Sequence, residues 1–361
     1  MKRVYPLRYK LAAAVFIPVS LLLAAEIAVR LVGAGLTQRS TEHLPRWVLA
    51  NVRDRAFTPD ARLFWRPVKS SAWLHTNAYG MRGEEISRDK PPRTYRIICL
   101  GDSITWGFSL IWSRSYPYVL QQKLNNLPIP VAFEVLNAGV PGYSSLQGRR
   151  YLDELWKFQP DCVTIMFGRN DQRRLRDEGG TLPDSQVPVL PEWVNLLRRG
   201  LGQSQLFGLL RSLLTERQLH PDEVPQQTPA DQARVNPAEF RVNLSEMITA
   251  ARQNGSDAVL LTSARIRAPL PNYNEVVREV AASTGAPLAD AAAEFEQIGI
   301  PALVVDDCHP NERGARLIAE ILATVLLANN IGSGTETGAW PLTGITAGAA
   351  ACPEVVPVPE Q

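Results

Sequence analysis

The sequence predicts an α/β protein with a central parallel sheet of about five strands and helices on both faces. Three observations support this fold class. Short apolar runs alternate with longer segments of helical apolar spacing over residues 94–330, a pattern typical of a parallel sheet covered by helices. Several of the runs end in Gly, Asp or Asn, and ligands bind at the carboxyl edge of such sheets. The 361 residues suffice for one α/β domain with appended segments.

The alternating pattern places the elements of the core in order along the chain. Strands are predicted near residues 95–101, 133–139, 161–168, 257–263 and 286–290. Helices are predicted near residues 115–126, 145–158, 238–253, 272–284 and 311–328.

Three segments do not follow this alternation. Residues 37–93 carry aromatic residues among charges and are predicted to form a juxtamembrane stalk and lead-in to the core. Residues 172–236 combine a Gly-Gly pair, several prolines and a stretch of helical apolar spacing, and we interpret them as an insertion over the site that could act as a lid. Residues 331–361 lack periodicity and are predicted to be a disordered tail.

The amino terminus has the pattern of a membrane anchor. Four basic residues precede an apolar stretch from Leu11 to Ala25, and a helix within residues 1–36 would be long enough to cross a bilayer with some tilt. The basic residues predict a cytoplasmic amino terminus, with the rest of this single-pass protein periplasmic or extracellular. A cleaved signal peptide is the alternative, although no small-x-small cleavage site follows the apolar stretch.

Charge and cysteine content exclude some classes of partner. The formal net charge is +2, which gives no global indication of a nucleic-acid partner. The four cysteines lack the spacing of a metal site. Cys162 and Cys308 lie near opposite edges of the predicted sheet, so a disulfide between them is disfavoured. The Gly-x-Gly-x-x-Gly loop of dinucleotide-binding domains is absent, and we predict neither a metal nor a cofactor.

Four short motifs either follow a predicted strand or open a predicted helix. They are Gly101-Asp102-Ser103, Asn137-Ala138-Gly139-Val140-Pro141-Gly142, Gly168-Arg169-Asn170-Asp171 and Asp306-Asp307-Cys308-His309-Pro310-Asn311. The first places a serine on a tight turn at the carboxyl end of a strand, where a substrate can reach it. A serine hydroxyl needs a base to become a nucleophile, and the only histidine at a predicted site edge is His309.

Together the four motifs resemble the signature blocks of the SGNH/GDSL hydrolase superfamily, and the resemblance covers roughly residues 94–330. It implies a flavodoxin-like, three-layer α/β/α fold and a catalytic triad of nucleophile Ser103, base His309 and carboxylate Asp306. Asp307 competes for the role of the carboxylate, but the DxxH spacing of the superfamily favours Asp306.

An oxyanion hole is also expected, because acyl transfer needs donors aimed at the developing negative charge. The donors predicted here are the backbone N–H groups of Ser103 and Gly139 and the side-chain amide of Asn170. Taken singly, Gly139 could equally be a turn glycine and Asn170 a helix N-cap.

Three further residues within the motifs have predicted roles. Arg169 belongs to a cluster of arginines that could attract an anionic or glycan substrate, so we predict it to be substrate-binding. A solvated helix face is the alternative explanation of that cluster. Asp102 and Asp171 are predicted to bond loop N–H groups near helix starts rather than to transfer protons.

The resemblance implies a serine esterase that forms an acyl-enzyme on an O-acyl ester, with a short acyl group or an acetylated glycan as the expected substrate. The stretch from His75 to Gly83 is similar to a segment that precedes the core in many membrane-anchored members of the superfamily, which often act on surface glycans. Two alternatives remain: a polysaccharide O-acyltransferase that uses the same residues, and a catalytically silent glycan-binding protein that keeps the fold.

Overall fold

The computed structural model describes residues 6–31, 56–173, 182–187, 189, 204, 206, 233–266 and 273–329. Its α-helices are α1 (Leu7–Leu31), α2 (Ser103–Trp106), α3 (Tyr116–Asn125), α4 (Ser145–Leu155), α5 (Pro237–Gln253), α6 (Tyr273–Thr284), α7 (Ala291–Ile298) and α8 (Glu312–Ala328). Its strands are β1 (Phe57–Asp60), β2 (Phe64–Pro67), β3 (Thr94–Gly101), β4 (Ala132–Gly139), β5 (Cys162–Met166), β6 (Asp257–Leu261) and β7 (Leu288–Ala289). Each predicted core strand and helix has a counterpart among these elements.

Strands β3 to β7 form one parallel sheet in the order β4-β3-β5-β6-β7. The connection that follows β3 leads to β4 on one side, and the connection that follows β5 leads to β6 on the other, so the strand order reverses between the neighbours β3 and β5. This is the switch point of a flavodoxin-like sheet, beside which ligands bind. Gly101 pairs with Gly139 of β4 and with Met166 of β5, so the three strands end at one level. The register therefore brings the first three motifs to a single edge.

Helices cover both faces of the sheet. Successive residues of a strand point to opposite faces, and accordingly Ile98 and Leu100 belong to one buried cluster while Ile97 and Cys99 belong to another. Helices α4, α5 and α6 supply apolar residues to the first cluster, and α3, α7 and α8 supply them to the second. The prediction of a three-layer α/β/α fold around a parallel sheet of about five strands is confirmed.

The lead-in segment packs against this domain along residues 56–93. Strands β1 and β2 form an antiparallel hairpin, and the buried Trp65 of β2 joins the first apolar cluster. Trp65 Nε1 donates to the carbonyl of Pro141 at 3.1 Å, and the Tyr143 hydroxyl donates to the carbonyl of Trp65 at 2.6 Å. Among the aromatic residues of the described part of the segment, Trp65 thus attaches it to the core, whereas Trp73 is 69 % exposed.

Helix α1 covers most of the predicted anchor, residues 1–36. Within the described ranges no helix is long and apolar enough to cross a membrane, so the predicted transmembrane helix is not confirmed. Glu26 of α1 accepts hydrogen bonds from Ser204 Oγ at 2.7 Å and from the N–H of Leu206 at 2.9 Å, both in the predicted insertion. Most of that insertion, and the whole of the predicted tail 331–361, lie outside the described residues.

The layered core gives a first testable prediction on helix α5. Leu244 is 1 % exposed in the first apolar cluster, whereas Val242, two residues earlier, is 51 % exposed. Leu244→Ala should lower the free energy of unfolding by about 2 to 5 kcal/mol, because it removes buried methyl groups and leaves a cavity. The matched control Val242→Ala should change it by less than about 0.5 kcal/mol. Urea unfolding followed by circular dichroism measures both, and equal effects would contradict this assignment of the buried face.

Candidate active site

The turn that carries Ser103 is built by its two preceding residues. Gly101 ends β3 where a Cβ would lie 2.0 Å from Thr105 Oγ1, so only glycine lets α2 begin at once. Asp102 caps α2, and its Oδ1 accepts a hydrogen bond from the N–H of Ile104 at 2.9 Å. Ser103 is the first residue of α2 and is 8 % exposed. No hydrogen bond to its backbone N–H is seen among the described residues.

His309 approaches Ser103 from the loop that precedes α8. Its Nε2 lies 2.8 Å from Ser103 Oγ, and its Nδ1 lies 2.6 Å from Asp306 Oδ2. The other carboxylate oxygen of Asp306 accepts hydrogen bonds from the N–H groups of Cys308 at 2.9 Å and His309 at 2.8 Å. The carboxylate is thereby fixed within its own loop and faces the imidazole. The structure thus brings the three residues of the predicted triad into one hydrogen-bonded row.

Asp307, the alternative carboxylate, points away from the imidazole. Its Oδ2 lies 3.3 Å from Arg265 Nη2 and 3.6 Å from Arg169 Nη2. Arg169 also donates from Nε to Cys308 Sγ at 3.2 Å, and its side chain is 15 % exposed. The described contacts of Arg169 are therefore with the loop that carries His309, while contact with a substrate stays a prediction. Arg265 also contacts this loop through Asp307. The only sequence feature that pointed to Arg265 is its position just after the predicted strand 257–263.

The pKa of His309 is raised to about 9. Burial by itself lowers it, but hydrogen bonds and electrostatic interactions with Cys308 and Asp306 outweigh that effect. Burial raises the pKa of Asp306, yet the N–H groups of its loop and the imidazole overcome this and hold it below the ordinary value. The neutral imidazole that can accept a proton from Ser103 therefore becomes the major form only at alkaline pH.

Gly139, a predicted oxyanion donor, uses its N–H within the protein. The N–H donates to Asn137 Oδ1 at 3.0 Å. A Cβ at Gly139 would lie 2.3 Å from the backbone nitrogen of Trp106, so the glycine is needed for α2 to pack on the end of β4. Gly142 lies in the same motif with a φ of 80°, and no hydrogen bond to its N–H is seen among the described residues. The sequence interpretation did not consider the N–H of Gly142 as a donor.

Asn170, the third predicted donor, is buried at the end of β5. Its Nδ2 donates to Tyr143 O at 3.0 Å and to Asp102 Oδ2 at 3.1 Å. Asp102 therefore links the nucleophile turn to Asn170 as well as capping α2. Burial raises the pKa of Asp102, against the lowering effects of the Ile104 N–H and of the charges on His309 and Arg169.

Asp171 ties the third motif to the start of α4. Its Oδ1 accepts hydrogen bonds from the N–H of Ser145 at 2.9 Å and from the Ser145 hydroxyl at 2.5 Å. Its Oδ2 accepts one from the N–H of Gly168 at 3.1 Å. Burial raises the pKa of Asp171 to about 6 even though these donors favour the charged form. Asp171 and Asp102 both bond N–H groups near helix starts in this structure.

The two described ends of the insertion meet at the Gly142 turn. Arg234 and Asp184 form a buried ion pair at 2.8 Å. Arg234 Nη1 also donates to the carbonyl of Gly142 at 2.8 Å, and the Ser144 hydroxyl donates to Asp184 at 2.6 Å. Neither residue was singled out in the sequence, because a buried pair fifty positions apart leaves no local pattern.

Phe108 forms an exposed apolar surface beside the imidazole. Its ring centroid lies 4.8 Å from that of His309, and the side chain is 46 % exposed. The N–H of Phe108 donates to the carbonyl of Ser103 at 2.9 Å, so the ring is attached to the nucleophile turn itself.

One group of residues has donors that a metal could use. Ligand atoms of Asp306, Cys308 and His309 lie within 4.8 Å of one another. The guanidinium of Arg169 lies 3.2 Å from the thiol and would repel a cation, and the imidazole Nδ1 already bonds Asp306. We therefore assign no metal to this group. Cys162 and Cys308 are both free thiols.

Comparisons with known proteins identify a family and individual relatives. A profile of the GDSL-like lipase/acylhydrolase family matches residues 99–317, more than half of the chain. An acetylxylan esterase from Xylanibacter ruminicola is 27 % identical over 240 residues, which are 64 % of this chain and 43 % of that protein, so the chain spans less than half the length of this relative.

The solved structures that match this chain have low sequence identity to it. A lipase/acylhydrolase from Enterococcus faecalis is 19 % identical, with a TM-score of 0.45 over 65 % of this chain and 96 % of that chain. A catalytic mutant of an acetylxylan esterase from Geobacillus stearothermophilus is 17 % identical, with a TM-score of 0.42 over 66 % of this chain and 94 % of that chain.

The geometry of the imidazole predicts which carboxylate controls its titration. Asp306→Asn should lower the pKa of His309 from about 9, because the variant removes a charge and weakens the hydrogen bond at Nδ1. Asp307→Asn is the matched control on the same loop and should have the smaller effect. Nitrogen-15 NMR of the imidazole across a pH series measures both shifts. A larger shift in the Asp307 variant would reverse the two assignments.

Proposed function

The chain belongs to the GDSL-like lipase/acylhydrolase family, whose members are carboxylic ester hydrolases, and we propose that it cleaves an O-acyl ester through a serine-bound acyl-enzyme. The family match confirms the prediction of a GDSL-type esterase. The observation that carries the mechanism is the 2.8 Å contact between Ser103 Oγ and His309 Nε2, with Asp306 Oδ2 at 2.6 Å from the opposite ring nitrogen. This is the arrangement that a nucleophile, a base and an orienting carboxylate require.

The first half of the reaction forms the acyl-enzyme. In neutral His309 the proton is on Nδ1, and this N–H donates a hydrogen bond to Asp306. The lone pair of Nε2 then faces Ser103. Ser103 Oγ bonds to the acyl carbon while its proton passes to Nε2, and the carbonyl electrons move onto the carbonyl oxygen. When those electrons return, the bond to the alcohol breaks and the alcohol leaves with the proton from Nε2. The imidazolium formed in between is stabilised by the charge of Asp306.

The second half releases the acid. A water molecule gives a proton to Nε2 of His309 as its oxygen attacks the acyl carbon. The second tetrahedral intermediate then collapses, the bond to Ser103 Oγ breaks, and the serine takes the proton back. The products are the free carboxylic acid and an unchanged enzyme.

Backbone and amide donors stabilise the negative oxygen in both halves. We assign this role to the N–H groups of Ser103 and Gly142 and to the amide of Asn170. Gly139 could contribute only after its N–H releases Asn137. The amide of Asn170 bonds Tyr143 and Asp102 in this structure, so it would share one hydrogen with the substrate oxygen. Loss of one such donor typically reduces kcat by about a hundredfold.

The proposed substrate is a short acyl ester or an acetylated glycan. The support is the similarity to an acetylxylan esterase and the exposed ring of Phe108 beside His309, which offers an apolar surface to a small acyl group or a sugar ring. Arg169 lies next to Asn170 and keeps its predicted role toward a substrate as part of this proposal. No cofactor takes part in the steps proposed.

We also propose that the amino terminus attaches the enzyme to a membrane, with the catalytic domain outside the cytoplasm. The basic residues before the apolar stretch support this orientation. Large apolar side chains of α1 are exposed, among them Phe16 at 70 % and Leu21 at 65 %. Exposed apolar side chains of this kind are expected on a helix that lies in a lipid bilayer.

The proposed nucleophile gives a direct test. Ser103→Ala should abolish hydrolysis of an aryl acetate, because no other group supplies the attacking oxygen, while the thermal midpoint stays near that of the wild type. Steady-state kinetics and thermal unfolding measure the two effects, and Ser245→Ala on α5 is the matched control. Wild-type turnover in the Ser103 variant would overturn the mechanism.

Analysis of the reaction products separates hydrolysis from acyl transfer. The wild type is incubated with a labelled acetyl donor and an oligosaccharide, and the products are resolved by mass spectrometry. Labelled acetate as the sole product supports the hydrolase proposed here, and labelled oligosaccharide would identify an O-acyltransferase.

Membrane attachment has its own test. The full chain should remain in the membrane pellet after alkaline carbonate extraction, because an apolar helix is held by the hydrocarbon core and not by charge. A variant with Leu21→Arg and Leu22→Arg should move to the supernatant. Release of the unchanged chain by carbonate would refute the anchor.

A further inference from the structure

Arg82 lies outside the region that the family profile matches, yet its guanidinium reaches the turn that carries Ser103. Nη1 donates to the carbonyls of Trp106 at 2.8 Å and Gly107 at 2.7 Å, and Nη2 donates to that of Leu110 at 2.7 Å. We propose that Arg82 is a positioning residue, which fixes α2 and the loop 107–110 so that the groups facing His309 keep their productive geometry. The proposal rests on the esterase function proposed above.

A hydrogen-bonded turn in the lead-in segment positions Arg82 beside the end of α2. Asn77 is buried, and its Oδ1 accepts the N–H of Met81 at 3.1 Å. Gly80 within the turn has a φ of 84°, a conformation that favours glycine. The N–H of Arg82 then donates to the carbonyl of Asn137 in β4 at 3.2 Å. The segment is therefore fastened to the end of the sheet at the residue that carries the guanidinium.

The carbonyl of Trp106 is held by two donors. Arg82 Nη1 lies 2.8 Å from it, and Asn137 Nδ2 donates to it at 3.3 Å. Asn137 Oδ1 in turn accepts the N–H of Gly139. The end of α2, the end of β4 and the lead-in segment thus form one hydrogen-bonded unit.

The chemistry of Arg82 suits three carbonyls that no helix or strand satisfies. Helix α2 is four residues long, and the last carbonyls of a helix need donors from elsewhere. Arg82 has a planar fork of donors that can reach all three, whereas a lysine supplies one compact ammonium. Among the described residues no carboxylate forms an ion pair with Arg82, and burial lowers its pKa to about 10. The described contacts of its guanidinium are therefore with these carbonyls and with the ring of Trp106, whose centroid lies 5.3 Å from Cζ of Arg82.

The loop held by Arg82 connects directly to the reacting groups. The N–H groups of Gly107 and Phe108 both donate to the carbonyl of Ser103, at 3.1 and 2.9 Å. The ring of Phe108 lies over that of His309 at 4.8 Å. A shift of this loop would consequently move Ser103 and disturb the surface against which the imidazole rests. A misplacement of about 1 Å can cost about a hundredfold in rate.

Arg66, in the same lead-in segment, is the matched control. It lies in β2 and is partly buried, as Arg82 is. Its guanidinium bonds Asp60, and Glu154 of α4 at 2.8 Å, and makes no described contact with the loop 107–110. Loss of Arg66 should therefore lower stability without moving the nucleophile turn.

The experiment compares Arg82→Gln, Arg82→Lys and Arg66→Gln in the full chain, with an aryl acetate as the substrate and Ser103→Ala as the blank. Arg82→Gln should lower kcat by about tenfold or more and change KM by less than about threefold, because ground-state binding is retained. The pH midpoint of kcat/KM in Arg82→Gln should also differ from that of the wild type, because the surroundings of His309 change. Arg82→Lys should recover part of kcat, and Arg66→Gln should keep the wild-type kcat and pH midpoint.

Two further measurements keep the outcomes decisive. Methylguanidinium should restore part of kcat in Arg82→Ala, an effect that a general loss of stability does not produce. Hydrogen exchange of the peptide spanning residues 103–110 should be faster in Arg82→Gln than in Arg66→Gln. A wild-type kcat and pH midpoint in Arg82→Gln would overturn the proposal while leaving the esterase function intact. If the wild type hydrolyses no ester, the proposed function fails. In that case, equal hydrogen-exchange rates of residues 103–110 in Arg82→Gln and Arg66→Gln would also refute the positioning role of Arg82.

Discussion

The common end of three parallel strands is the constraint on which the active site depends. Gly101 of β3, Gly139 of β4 and Met166 of β5 lie at one level, and α2 starts immediately above them. Neither glycine has room for a side chain, because a Cβ at either position would lie within 2.3 Å of the residues of α2. Ser103 is therefore held directly over the sheet edge by close backbone packing, together with the Asp102 cap of α2.

Buried carboxylates then hold the edge together. Asp102 joins the nucleophile turn to Asn170, and Asp171 joins the third motif to the start of α4. Burial opposes the charge on both groups, so each is surrounded by donors that favour it. Asp306 differs because its partner is an imidazole that must gain and lose a proton. The carboxylate that we propose takes part in the chemistry is thus the one that bonds the imidazole.

The lead-in segment, which precedes the matched core, and the insertion, which lies within it, complete the site. The lead-in segment contributes Trp65 to the Pro141 carbonyl and Arg82 to the loop after α2, and the ends of the insertion contribute the Asp184–Arg234 pair to the Gly142 turn. The nucleophile turn and the Gly142 turn are consequently each held by a segment that lies outside the alternation of core strands and helices. Among the described residues, these supports bond the turns without contacting Ser103 Oγ or the imidazole of His309.

The sequence by itself determined the five strands, their helices and the residues that the structure gathers at one edge. Apolar periodicity and the turn residues after each strand are local signals, so Ser103 and His309 could be identified without coordinates. Only the tertiary structure decided what each polar group bonds. It directs Arg169 to the His309 loop and brings Arg82 to the nucleophile turn. The physical reason is that hydrogen bonds between distant segments depend on where folding places each donor, and no local pattern encodes that position.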